Sequence, residues 1–537
     1  MLTITYVLPL IGALAIALIP RERESLARPT ALFFSSVTFL WSLLLFWRFD
    51  ADVAGAYQLV EKAEWIPRLG ITYHLGIDGI SLPLVLLATF LGPITVLSAF
   101  RCIQQRLKEF YAALMALISF SLGSFFALDT ILFYLFFELM LVPMFLIIGI
   151  WGGKGRVHAA VKFFLFTVAG SLPFLLAVIV LKVKSGSPTF GLEDLLATAV
   201  LDKGLQCWLF LGFAFAFAIK VPMVPVHTWL PDAHGEAPTP GSVWLAAVLL
   251  KVGAYGFLRF AMPLFPEAVE VFRTWMMLLG VVGIVYGAFL ALAQTNMKRL
   301  VAYSSVSHMG YIMLGLFALN EAGITGGIYQ MIAHGLTTGG LFLVVGMLYE
   351  RRHVLEIESY GGLANVTPRL AAAFMVVVLG SAALPGLCGF VGEFLVLLGA
   401  ARVSWIWATV GGLGVILGAA YLLLLYKGLM FGPVHNRQNE GLLDLNLRER
   451  VVIVPVLVLI VIFGLFPDPV IRRVRPAVGL MLKRIEVVDT AGGGRAALPR
   501  HAPAPTTANQ APEKATEKAT EMVTEKATET DPDAEKQ

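Results

Sequence analysis

Long apolar runs, separated by short polar or charged joints, fill most of the chain up to about residue 480. A helix needs roughly 20 apolar residues to cross a hydrocarbon core. That rule predicts about 14 spans, at roughly 2–20, 30–48, 77–100, 110–128, 130–151, 160–182, 206–226, 241–262, 274–293, 301–319, 324–348, 370–400, 405–430 and 451–467. A few are interrupted by Gly or Pro. The fold class expected is an all-α polytopic membrane protein. Met1-Leu2-Thr3-Ile4-Thr5 offers no basic stretch before the first apolar run and no small-residue cleavage site. It reads as a retained first span, not a removed signal peptide.

Composition supports the same class. Apolar residues make up 58% of the 537 and charged residues 14%, with a mean hydropathy of +0.79. A soluble domain is nearer half apolar and a quarter charged, so lipid must serve as part of the solvent. The net charge of +4 is small, and Lys and Arg gather in the joints. This suits control of topology and leaves no basic groove for nucleic acid. With the N-terminus outside, the inner joints carry most of the basic residues, among them Arg106, Lys154, Lys298, Arg352 and Arg450. Arg472, Arg473 and Arg475, beyond the last span, run against that rule if the count is even. The segment 502–537 is rich in Pro, Thr, Ala, Glu and Lys. It has almost nothing apolar to bury, so a disordered polar tail is expected over 491–537.

Redox and nucleotide chemistry find no support in the sequence. Cys102, Cys207 and Cys388 lie far apart without a C-x-x-C pair, a pattern that holds neither an iron–sulfur cluster nor a structural zinc. They read as small hydrophobes. No G-x-G-x-x-G follows a strand pattern and no Walker A loop is present. No metal or cofactor is therefore expected on this chain.

Charges within the apolar runs are the candidate chemistry, because an ionisable residue at membrane depth is costly and is usually retained for function. Glu138 is the only charge in its span, too deep for a short carboxylate to reach the interface. The bland reading is a structural carboxylate. Lys220 ends an apolar run and precedes Val221-Pro222-Met223-Val224-Pro225. Two prolines remove backbone donors and break the helix, and transporters set ion sites at such breaks. The rival is a lysine that snorkels to the inner face. Lys251 lies mid-span, where a desolvated ammonium can exist in either charge state; a fixed ion pair is its rival. His308 and His334 each occupy an otherwise apolar span, and imidazole titrates nearest physiological pH. Each alone reads equally as a satisfied core histidine. Glu393 follows Pro385-Gly386-Leu387-Cys388-Gly389, a second interrupted span. Paired discontinuous spans point to an inverted-repeat transporter.

Four stretches also resemble a known family. Phe136-Phe137-Glu138-Leu139-Met140-Leu141-Val142-Pro143, the run from Lys220 to His234 (KVPMVPVHTWLPDAH), Tyr303-Ser304-Ser305-Val306-Ser307-His308-Met309-Gly310 and Gly389-Phe390-Val391-Gly392-Glu393-Phe394 resemble the antiporter-like membrane subunits of respiratory complex I, in particular the M-type branch (chain 4 in mitochondria). The resemblance covers about residues 1–480 and excludes the tail. It implies 14 helices, with N-terminal helices over 1–109, inverted five-helix repeats over 110–262 (spans 4–8) and 270–432 (spans 9–13), and helix 14 with an adjoining segment over 433–490. It also implies broken spans 7 and 12, and a proton-translocating chain of Glu138, Lys220, Lys251, His308, His334 and Glu393. Glu393 stands where the L- and N-type chains look to carry Lys. The L-type lateral-helix extension is absent.

By the same resemblance, L- and N-type chains of the membrane arm are partners, and NADH, FMN, iron–sulfur clusters and quinone sit on partner subunits. The location implied is multi-pass, in the bacterial inner membrane. The expected mechanism is a switchable Glu138–Lys220 pair that releases a proton toward Lys251, His334 and Glu393, with His308 tuning the link. Rival readings are a subunit of a multi-chain cation/proton antiporter or a membrane-bound hydrogenase, and a scaffold whose charges only fix packing.

Overall fold

Hydrocarbon cannot satisfy backbone N–H and C=O groups, so the apolar runs close their hydrogen bonds within helices. The computed structural model describes residues 1–490; the tail expected over 491–537 lies outside the described residues. Eleven helices among them are long and apolar enough to cross a membrane. Leu447–Leu465 joins them if it is counted with Asp468–Ile485, from which it is bent by 67°. Leu2–Leu18 and Pro368–Ser381 are shorter apolar helices. The end of the bundle carrying Arg106, Lys154 and Arg299 is termed the inner end.

Burial is graded across the bundle. The apolar windows of Thr239–Leu264 and Glu321–Arg352 are 100% buried and that of Met297–Phe317 94%, against 28% for Arg21–Arg48 and 33% for Trp405–Met430. Leu172, Leu176 and Val183, on Arg156–Ser185, are exposed as lipid-facing side chains must be. The three innermost helices carry Lys251, His308 and His334. They pack closely through small residues, which membrane helices need because apolar side chains alone gain little by leaving lipid. A Cβ on Gly310 would lie 2.5 Å from the Gly280 carbonyl of Pro266–Leu292, so only glycine lets these backbones meet.

Both interruptions expected from Pro and Gly are present. Lys203–Lys220 ends where Pro222 removes a donor, and the chain resumes as Trp229–Glu236. Trp229 Nε1 donates to the Ile219 carbonyl at 2.9 Å, so the second half satisfies a carbonyl at the end of the first. The span expected at 370–400 is two helices, Pro368–Ser381 and Cys388–Val403. Gly386, with φ +91, turns the chain between them.

Several elements depart from the apolar pattern. The span expected from residue 77 starts at Ser81, because Gln58–Ile66 and Ile71–Ile77 pair as an antiparallel hairpin. Glu61 of the hairpin accepts from the backbone N–H groups of Leu2 and Thr3, at 2.8 and 3.1 Å, satisfying donors that a helix start leaves free. Beyond the last span, the helix Asp468–Thr490 runs at the outer end. Its Arg472 pairs with Asp52 at 3.1 Å and Arg475 with Glu321 at 3.2 Å. These arginines still break the positive-inside pattern, but each answers a local carboxylate.

Candidate functional site

Four of the six expected residues form one buried line. Lys251 sits in Thr239–Leu264 just after a π-helical turn, Leu245–Leu249, a local widening common at functional sites. Its Nζ donates to the Ala246 carbonyl at 2.6 Å and lies 2.5 Å from His334 Nδ1. A lysine donating there needs His334 Nδ1 as acceptor, which places the ring proton on Nε2. That nitrogen has no partner among the described residues. The His334 ring is 5.5 Å, centroid to centroid, from the ring of His308.

His308 Nδ1 is 3.0 Å from Glu393 Oε1. Its Nε2 lies 3.3 Å from the Ser381 hydroxyl and 3.5 Å from that of Tyr421. An Nδ1–H donating to the carboxylate leaves Nε2 to accept from these hydroxyls, so one tautomer satisfies the set. Gln330, one turn before His334 on the same helix, donates Nε2–H to Glu393 Oε1 at 3.1 Å. All four ionisable residues are buried. The run from ammonium through two imidazoles to carboxylate thus has hydrogen-bond contact at both ends and one ring-to-ring gap.

Lys220 and Glu138 stand apart from this line and from each other. Lys220 Nζ is buried at the helix break, with no hydrogen-bond partner among the described residues. It lies over the ring of Phe137 at 4.7 Å, a cation–π contact that partly offsets lost hydration. Glu138 is half-buried near the Ser171 hydroxyl, and its field reaches Lys220. The expected ion pair is therefore open, with the two charges coupled through space. The helix break abuts the line all the same: a Cβ on Gly253 would lie 2.9 Å from the Lys220 Cβ, so the Lys251 helix crosses at the break itself.

Ser171, Gln330, Ser381 and Tyr421 were not picked out from sequence. Polar uncharged residues in membrane helices are too common to single out without knowing which face they share. The interior also holds a buried ion pair, Arg259 to Asp78, with contacts at 2.6 and 2.8 Å.

A bundle of membrane-length helices with ionisable side chains meeting in its interior defines an ion-conducting membrane protein. A family described as NADH:quinone oxidoreductase/Mrp antiporter, TM, matches residues 127–418, more than half of the chain. NADH-quinone oxidoreductase subunit M of Rhodobacter capsulatus is 46% identical, over 90% of this chain and 96% of that one. The chain belongs to this family. Among solved structures, a chain of respiratory complex I from Thermus thermophilus with bound NADH matches at TM-score 0.83 and 36% identity, covering 90% of this chain and 99% of that one. A chain of the Mrp complex from Dietzia sp. DQ12-45-1b matches at TM-score 0.76 and 22% identity, covering 90% of this chain and 52% of that one, a likeness of fold alone.

Proposed function

We propose that the chain is the M-type antiporter-like subunit of an NADH–quinone oxidoreductase and moves protons across the bacterial inner membrane, while the redox chemistry takes place on partner subunits. The reading is carried by the contact line Lys251–His334–His308–Glu393 inside the most buried helices. Counting Leu2–Leu18, the interrupted pair Pro368–Ser381 with Cys388–Val403, and Leu447–Leu465 beside the eleven membrane-length helices gives 14 crossings, in keeping with two inverted five-helix repeats over 110–262 and 270–432.

In this mechanism Glu138 and Lys220 act as the switch. When Glu138 is near, its charge helps Lys220 hold a proton; when Glu138 is drawn toward a neighbouring subunit's charge, Lys220 holds it less tightly. The proton passes through water to the Lys251–His334 pair. A histidine can take a proton at one nitrogen and release one at the other, so His334 and His308 hand it on to Glu393. Release follows at the outer face.

The test is proton pumping in membrane vesicles containing the complex. Glu138→Gln and Lys220→Ala are each expected to abolish or sharply reduce pumping coupled to quinone reduction. Full pumping by either variant would refute its role.

A further inference from the structure

The carboxylate at the end of the proton line shares one oxygen between two donors. Glu393 Oε1 lies 3.0 Å from His308 Nδ1 and accepts from Gln330 Nε2–H at 3.1 Å. Gln330 is buried on Glu321–Arg352, and its own amide oxygen has no partner among the described residues. That oxygen rests against Gly392, the residue before Glu393. A Cβ there would overlap it and would lie 2.9 Å from the Gln330 Cα. Glycine at 392 therefore leaves room for the amide beside the carboxylate.

A buried acceptor without a donor is a cost that packing does not explain, and a methionine would fill the same space without it. An amide carries donors and an acceptor on one flat group, so a half-turn about its last bond exchanges them. A charged carboxylate only accepts, whereas a carboxylic acid also donates. The other polar groups nearby are engaged. Tyr311 donates its hydroxyl to the Gly411 carbonyl at 2.7 Å, and the Ser381 and Tyr421 hydroxyls face His308 Nε2. Once His308 has given up its Nδ1 proton, two acceptors face the new acid. One is His308 Nδ1 itself, and the other is the Gln330 oxygen.

We propose that Gln330 is a positioning residue for proton transfer from His308 to Glu393, and that its amide turns over as Glu393 changes protonation state. The proposal rests on the proton-conducting reading and deepens it at this one step. With Glu393 charged, the amide N–H holds Oε1 in place beside His308. Doubly protonated His308 then gives its Nδ1 proton to Oε1. One N–H bond breaks, one O–H bond forms, and imidazolium and carboxylate both become neutral. The new O–H points back at His308 Nδ1, which is the route of return. When the amide turns, its oxygen accepts the O–H and draws it off the imidazole. Onward release of the proton restores the carboxylate, and the amide N–H returns to it.

The test uses the intact complex in membrane vesicles. Gln330→Met keeps the length of the side chain and removes both the donor and the amide oxygen. The rate of proton pumping coupled to NADH oxidation is expected to fall about ten-fold, the scale of losing one hydrogen bond to a charged group. Infrared difference spectra between acid and neutral pH give a readout that a merely structural role would not move. The carboxylic C=O band of Glu393, identified by its loss in Glu393→Gln, is expected to shift in Gln330→Met. Full pumping by Gln330→Met, or a Glu393 band at the parent position, overturns the proposal. If Gln330→Met fails to assemble, Gln330→Glu decides by pumping, because it keeps the shape and replaces the donor with an oxygen. A similar fall supports the proposal and full pumping overturns it. Glu393→Gln separates the two claims. Full pumping by that variant takes Glu393 out of the line and the proton-conducting reading falls, whereas full pumping by Gln330→Met alone removes only the role of the amide.

Discussion

Lys251 Nζ and His334 Nδ1 lie 2.5 Å apart, between the two helices whose apolar windows are wholly buried. Two unit charges 4 Å apart repel by about 1 kcal/mol in water and about 4 kcal/mol at an effective dielectric of 20. At contact distance in this interior the pair holds one positive charge, not two. A lysine fixed as half of an ion pair would have a carboxylate at this position. Lys251 has an imidazole and a carbonyl instead: both accept its hydrogen bonds, and the imidazole can take the proton it gives away.

At the far end of the line, Glu393→Gln keeps the shape of the carboxylate and loses its charge and proton affinity. Its contacts with His308 and Gln330 can still be made in part, so assembly is expected to be normal. Pumping per NADH oxidised is expected to fall sharply, and Glu393→Asp to recover some of it. Proton uptake and release in vesicles, with NADH oxidation followed in parallel, separates lost conduction from lost assembly.

Gly253 governs how closely the Lys251 helix meets the helix break. A Cβ there would lie 2.9 Å from the Lys220 Cβ and 3.0 Å from the Phe217 carbonyl. Gly253→Ala is expected to cost about 1–3 kcal/mol, the range for overpacking, and to slow pumping by separating Lys220 from Lys251. Thermal unfolding of the purified complex reads the first effect and vesicle pumping the second.

The Arg259–Asp78 pair is a structural counterpart to the proton line. Arg259 makes two contacts with the Asp78 carboxylate, at 2.6 and 2.8 Å, and donates Nε–H to the Tyr255 hydroxyl at 2.9 Å. Asp78 also accepts from the N–H groups of Ile80 and Ser81 at 3.0 Å, fixing the start of Ser81–Cys102. Removing one partner strands a buried charge, so Arg259→Leu is expected to cost about 3–5 kcal/mol. A lowered Tm in detergent checks this.

Outside the membrane spans, Asp444 gives a pH-dependent contact. It accepts from the N–H groups of Arg369, Leu370 and Leu445 at 2.8–3.0 Å, capping the start of Pro368–Ser381 from a distant loop. Burial alone would raise its carboxyl, but the bonds from Arg369, Leu445 and Leu370 and the Arg369 charge prevail and hold it below the usual aspartate value. A depressed carboxylate stabilises the fold above its unfolded value, and that support is lost as pH falls through the folded value. Asp444→Ala is expected to cost about 1 kcal/mol near neutrality. The difference in Tm from the parent protein should shrink as the pH drops below the ordinary aspartate range.

Much of this was legible in the chain. Pro222 and Pro225 mark the break after Lys220, and Pro385-Gly386 marks the one before Glu393, because each removes a donor or a rigid backbone preference that a continuous helix requires. The six ionisable residues stand out because they interrupt apolar runs. The hairpin at Gln58–Ile77 was hidden: its second strand reads as the approach to an apolar span, and its first is largely exposed without clean alternation. The π turn beside Lys251 leaves no trace either, since Leu245–Leu249 holds no Gly or Pro. Whether Glu138 and Lys220 touch is a matter of side-chain distance, which spacing along two separate helices does not fix.

The most direct test of the account is Lys251→Arg in membrane vesicles. Arginine keeps the positive charge and can still bond to Ala246 and His334, but it does not release its proton at accessible pH. If Lys251 hands protons on, the assembled complex with this change should oxidise NADH while pumping far fewer protons per NADH. An unchanged ratio of protons to NADH would mean that Lys251 serves only as a fixed charge, and the line through His334, His308 and Glu393 would have no donor.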